Sequence, residues 1–116
     1  MVLPWLSLIH ILLATLKVAD GTAEGAVVTV TAENTVGKAA ENGKFCGVLV
    51  RDEGDGVGAV QLEGIVTVSY SDTAPAVGYS LLAGDGSGGV KTVTSGGVSC
   101  LVLSVDAASG TAVIKL

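Results

Sequence analysis

The chain has 116 residues, a formal net charge of −5 from eleven Asp and Glu against six Lys and Arg, and 49% hydrophobic residues. That length suits one small domain. The six cations Lys17, Lys38, Lys44, Arg51, Lys91 and Lys115 are scattered along it, which disfavours the clustered positive surface that a nucleic-acid backbone requires and predicts a mildly acidic, solvated exterior.

The first segment reads as foreign. Leu6-Ser7-Leu8-Ile9-His10-Ile11 resembles the in-frame translation of the transposase mosaic end used in shotgun sequencing libraries, and the expected boundary places Met1 to Leu16 outside the domain. A degenerate signal peptide and a genuine core segment are the competing readings. No Lys or Arg precedes Lys17 and no small-x-small cleavage site follows, which argues against a secretory leader. Lys17 and Asp20 close the apolar run too early for a membrane span, which needs about 20 residues. Setting this segment aside removes the only His (His10) and the only Trp (Trp5).

From Lys17 onward the chain is rich in Gly, Val and Leu, and it carries only Phe45, Tyr70 and Tyr79 as aromatics. Gly supplies the positive φ of tight turns and β-branched residues suit a pleated sheet, so short strands are predicted. In chain order these are Ala26 to Thr31, then Thr35 to Ala39 after a turn at Glu33-Asn34, then Lys44 to Arg51 after a type I′ hairpin turn at Asn42-Gly43. Glu53-Gly54-Asp55-Gly56 opens the longest, Val57 to Tyr70. Its Val60, Leu62, Gly64, Val66, Val68 and Tyr70 share an apolar face, and Gln61, Glu63, Thr67 and Ser69 share a polar one, with Gly64 marking a bend or bulge. Tyr79 to Ala83, Gly89 to Val93, Val98 to Asp106 and Thr111 to Leu116 follow. Val98 to Val105 is apolar on both faces, which predicts a central or interface position. The expected fold is all-β, a single small barrel or sandwich of about seven or eight short antiparallel strands. A domain this small buries only about 60 to 65% of its unfolded surface, which favours oligomerisation or docking on a larger body.

Reaction chemistry is hard to assemble from these residues. Without a His in the domain, Ser-His-Asp and Cys-His arrangements are unavailable. Asp52, Glu53, Asp55 and Asp85 fall in turns, where solvation keeps carboxylates ordinary, and no catalytic, cofactor-binding or metal-binding residue is assigned. The loop Gly84 to Gly89 lacks the Lys-Ser/Thr ending of a phosphate cradle and opens no helix. Asp55 and Asp85 lack the alternating oxygen ligands of a dedicated calcium loop. Cys46 and Cys100 have no zinc spacing and are read as buried free thiols, with a cross-strand disulfide as the alternative. Tyr70 and Tyr79 are read as core residues at strand ends rather than as a carbohydrate platform.

Several blocks carry a family resemblance: Asn34 to Ala39 (NTVGKA), Phe45 to Val48 (FCGV), Gly58 to Val66 (GAVQLEGIV), Ser71 to Tyr79 (SDTAPAVGY), Asp85 to Lys91 (DGSGGVK) and Leu101 to Asp106 (LVLSVD). Together they resemble the head fibre or capsid decoration proteins of tailed bacteriophages, particularly those of gut metagenomes, over Lys17 to Leu116. The resemblance implies a non-enzymatic all-β virion protein on the outer head surface, often a trimer, whose partner is the major capsid protein, with the host cytoplasm as the site of assembly; the scattered cations and the short apolar run lead to the expectation of neither nucleic acid nor membrane as a partner. It implies no cofactor and assigns no functional residue. The alternative reading is a bacterial cell-surface or carbohydrate-binding β module. A fragment of an enzyme would need catalytic residues beyond this sequence.

Overall fold

The structure, a computed structural model, describes residues 12–116. It is all-β, with ten strands in two sheets and no helix among the described residues. Strands β1 (Leu12–Val18), β2 (Val27–Ala32), β3 (Thr35–Lys38), β4 (Gly47–Gly54) and β5 (Val57–Glu63) close a barrel in the order β1-β3-β2-β4-β5. The second sheet has the order β6-β10-β9-β7-β8, from β6 (Ile65–Ser69), β7 (Gly78–Gly84), β8 (Val90–Thr92), β9 (Val98–Asp106) and β10 (Thr111–Lys115). Barrel and sheet therefore correspond to the two halves of the sequence.

Two cores follow from strand alternation. Val28, Val36, Leu49 and Val60, with Leu16, Val18 and Leu62, fill the barrel interior. Their neighbours Val27 and Val48 point outward from the barrel wall and join Ala39 and Phe45 against Val68, Leu82, Val90, Cys100, Val102, Ala112 and Ile114 of the second sheet. Consecutive residues of β2 and β4 are thus buried on opposite faces, which is why these strands read as continuous apolar runs. The sheet curls at one end, where Tyr70 bridges Val90 and the Ser71 amide donates to the Val90 carbonyl at 2.9 Å.

The long strand expected over Val57 to Tyr70 is two strands. Gly64 has φ +111°, a conformation that L side chains rarely adopt, and it carries the chain from the barrel into the second sheet. The face assignment holds for Val60 and Val68, but they enter different cores. Gln61 departs from the expected solvent face. It is 5% exposed because the barrel wall there is covered, and its Nε2 donates to the Glu63 and Ile65 carbonyls, both at 3.2 Å, stapling the corner around Gly64.

Leu12–Leu16, which the expected boundary sets before the domain, lie in β1. This strand pairs antiparallel with β5 from Leu12↔Glu63 to Lys17↔Val57 and parallel with β3 at Lys17↔Thr35 and Val18↔Val36, closing the barrel. The adapter-like block Leu6 to Ile11 lies outside the described residues. Asn42-Gly43 forms no hairpin: only Asn42 has positive φ (64°), and β3 and β4 both pair with β2 rather than with each other. A type I′ geometry occurs instead at Asp55-Gly56, with φ 56° and 76° between the paired residues Gly54 and Val57. Strand β9 takes the central place expected of it.

Candidate interaction surface

The outer face of the second sheet is built by cross-strand pairing. Tyr79 pairs with Leu101, Leu101 with Lys115, and Lys115 with Ile65, so these four side chains form one row across β7, β9, β10 and β6. A second row joins Ser104, Val113 and Thr67, and a third joins Asp106, Thr111 and Ser69. The register shift between Val113 and Ile114 leaves Leu103 as the extra residue of a β-bulge. Tyr79 is 77% exposed, and Ile65 and Leu103 on the same face are also exposed. Several large apolar groups gathered on one face, with an aromatic among them, suit contact with another macromolecule better than contact with water.

Tyr79 therefore departs from the expectation of a core residue. It sits on β7 with Ser80, which points inward and donates its hydroxyl to the Ala76 carbonyl at 2.8 Å, so alternation turns Tyr79 to solvent. Tyr70 is half-buried and packs on the interlayer core. The cysteines divide likewise. Both are free thiols, Cys100 is buried in the interlayer core, and Cys46 is exposed just before β4. Burial pushes both thiols above the ordinary range, and at Cys46 the Val30 and Cys46 backbone groups partly offset this.

The acidic turn residues are only partly brought together. Asp52 and Asp55 flank a cleft of about 190 Å³ at one end of the barrel with Asp20, where the Asp52 carboxylate accepts the Gly54 amide at 2.9 Å and the Glu24 carboxylate accepts the Asp52 amide at 2.8 Å. Asp85 lies apart, in the β7–β8 loop. No group of three or more His, Cys, Asp or Glu side chains is arranged to hold a metal ion among the described residues.

The loop Gly84 to Gly89 is organised by Asp85. One carboxylate oxygen accepts the Ser71 hydroxyl, and the other accepts the amides of Ser87 at 2.7 Å and Gly89 at 3.0 Å. Partial burial works against the charged form, yet the Ser71, Ser87 and Gly89 donors outweigh it and hold the carboxyl below its usual range. Through these bonds Asp85 ties the segment after β6 to the β7–β8 loop. The Gly88 carbonyl in turn accepts the Val27 amide of β2 at 2.9 Å, joining this loop to the barrel. A second, open cleft of about 490 Å³ is polar, with Asn42, Asp72, Lys91, Thr92, Thr94 and Ser95 on its walls.

No protein-family model matches the chain, and a search of curated proteins finds no relative.

Proposed function

We propose that this protein is a structural component of a bacteriophage virion, a head fibre or decoration protein that lies on the outer surface of the capsid and contacts the major capsid protein. The observation that supports this reading is the outer face of the second sheet, where Tyr79, Leu101, Leu103 and Ile65 present an apolar surface on a two-layered β body, as suits the subunit contacts of an oligomeric virion component. The sequence resemblance to decoration proteins points the same way. In this role the protein carries out no reaction, and it acts through surface complementarity as a homo-oligomer on the head, after assembly in the host cytoplasm.

Co-sedimentation with heads assembled from the capsid protein of the same phage tests this. The protein should pellet with heads and remain in the supernatant without them. Failure to pellet with heads defeats the reading.

The exposed ring of Tyr79 also favours a second reading, a carbohydrate-binding module, because an exposed aromatic face can stack on a sugar. Glycan-array binding that disappears with Tyr79→Ala, in a protein that ignores phage heads, would support that alternative.

A further inference from the structure

The charges on the outer face of the second sheet are arranged to complement themselves. Along β10, Lys115 lies two residues to one side of Val113, and Thr111, whose cross-strand partner is Asp106, lies two residues to the other. Each displacement is about 7 Å along the strand. Among charged residues of these strands, Lys91 is already paired, with its ammonium 3.0 Å from the Glu41 carboxylate. Lys115 extends to the terminal Leu116 carbonyl at 3.4 Å. Asp106 is exposed, and its carboxylate accepts the Ala108 amide at 3.0 Å and the Ser109 amide at 3.4 Å.

We propose that this face is an isologous interface between two copies of the chain, with the two-fold axis lying along the row Thr67, Val113 and Ser104. A half-turn about that line lays the Lys115 end of one copy over the Asp106 end of the other, twice. Thr67, Val113 and Ser104 lie on the axis and meet their own symmetry mates, with the bulged Leu103 beside them and Tyr79 in the flanking row. Two chains each carrying a net charge of −5 repel in most orientations, whereas this one sets each Asp106 near a lysine. Such self-complementarity is the property of a two-fold contact, since a three-fold ring joins two different surfaces. The pair differs from the trimer implied by the family resemblance, and it does not depend on what the protein sits upon.

Charge reversal tests it on the full chain by sedimentation equilibrium, with circular dichroism confirming the fold of each variant. The parent should be a dimer at about 100 µM, a concentration that detects even weak interfaces. Lys115→Glu and Asp106→Lys should each weaken dimerisation by about tenfold or more, and the double variant carrying both should recover most of the loss. Tyr79→Ser, which leaves both charges in place, should also weaken the dimer. A monomer or a trimer overturns the proposal, as does a dimer that none of these substitutions changes. Binding to phage heads is read separately, so either conclusion can fail without the other.

Discussion

Asn42 and Gly84 tie the barrel to the second sheet. The Asn42 amide donates to the Gly84 carbonyl and the Gly84 amide donates to the Gly43 carbonyl, both at 2.9 Å, so the loop between β3 and β4 lies against β7 as if it were a further strand. A Cβ on Gly84 would stand 2.7 Å from the Ala40 carbonyl and 2.8 Å from the Ala39 Cβ. Neither can yield without moving backbone. Gly84→Ala should therefore destabilise the fold by about 2 to 3 kcal/mol, read as a lowered urea midpoint with an unchanged slope. A midpoint equal to the parent's would show that the loop is free to retreat.

Gly64→Val should cost about 1 to 3 kcal/mol, since a β-branched residue is forced into φ +111° at the passage between sheets. Gly21→Ala is the informative comparison. Its φ is +84° but no atom lies within 4 Å of the added Cβ, so its smaller loss, about 1 kcal/mol, measures backbone strain with no clash.

Asp85 gives the fold an acid dependence of known sign. Its carboxyl is lowered on folding, so its contribution is present above the unfolded carboxylate range, around pH 3.9, and fades as pH falls through the lower folded value. Asp85→Asn should reduce stability at neutral pH and flatten the decline below about pH 4. Urea midpoints measured from pH 7 to pH 2 should therefore converge for parent and variant at the acid end. Parallel curves would mean that Asp85 is not the group responsible.

A chain beginning at Lys17 should fail to close the barrel, because it lacks the β1 residues that pair from Leu12↔Glu63 to Leu16↔Gly58, while a chain beginning at Leu12 keeps them all. Thermal melts of the two separate the cases. A cooperative melt for the shorter chain at the temperature of the longer would make β1 dispensable.

Cys46 should react with a thiol reagent in the native protein and Cys100 only on unfolding, giving one fast and one slow equivalent. Because desolvation raises the Cys46 thiol, its rate should climb with pH into the alkaline range.

Turn chemistry and alternation made most of the strands legible. Val98–Asp106 has the expected bounds, and the Glu33-Asn34 and Asp55-Gly56 turns sit where Gly, Asn and Asp allow positive φ. What alternation could not show is which solvent-side face a second layer would cover. Gln61 looked polar and outward, and it is outward from the barrel, but a sheet formed by later residues buries it. The same ambiguity reversed Cys46 and Tyr79, which sit in or beside apolar runs yet fall beyond the layer's reach. At Asn42-Gly43 a local hairpin preference yielded to the tertiary bonds with Gly84. The outer face was visible only as apolar surplus in β9. Its rows depend on register across four strands, which no single segment encodes.

The passage through Gly64 divides the protein in time as well as in space. Every strand of the barrel, and every residue of the core inside it, precedes Gly64, so the ribosome has delivered a closed set before the second sheet exists. The interlayer core, by contrast, needs partners from both halves. Synthesis from the N-terminus thus lets the barrel form first and offer its outer wall as the template on which the later strands are laid. The same division makes Gly64 a natural place to cut the gene in two: fragments 12–63 and 65–116 would each carry a complete sheet, and mixing them would reassemble the protein through the faces of Val27, Phe45 and Val48.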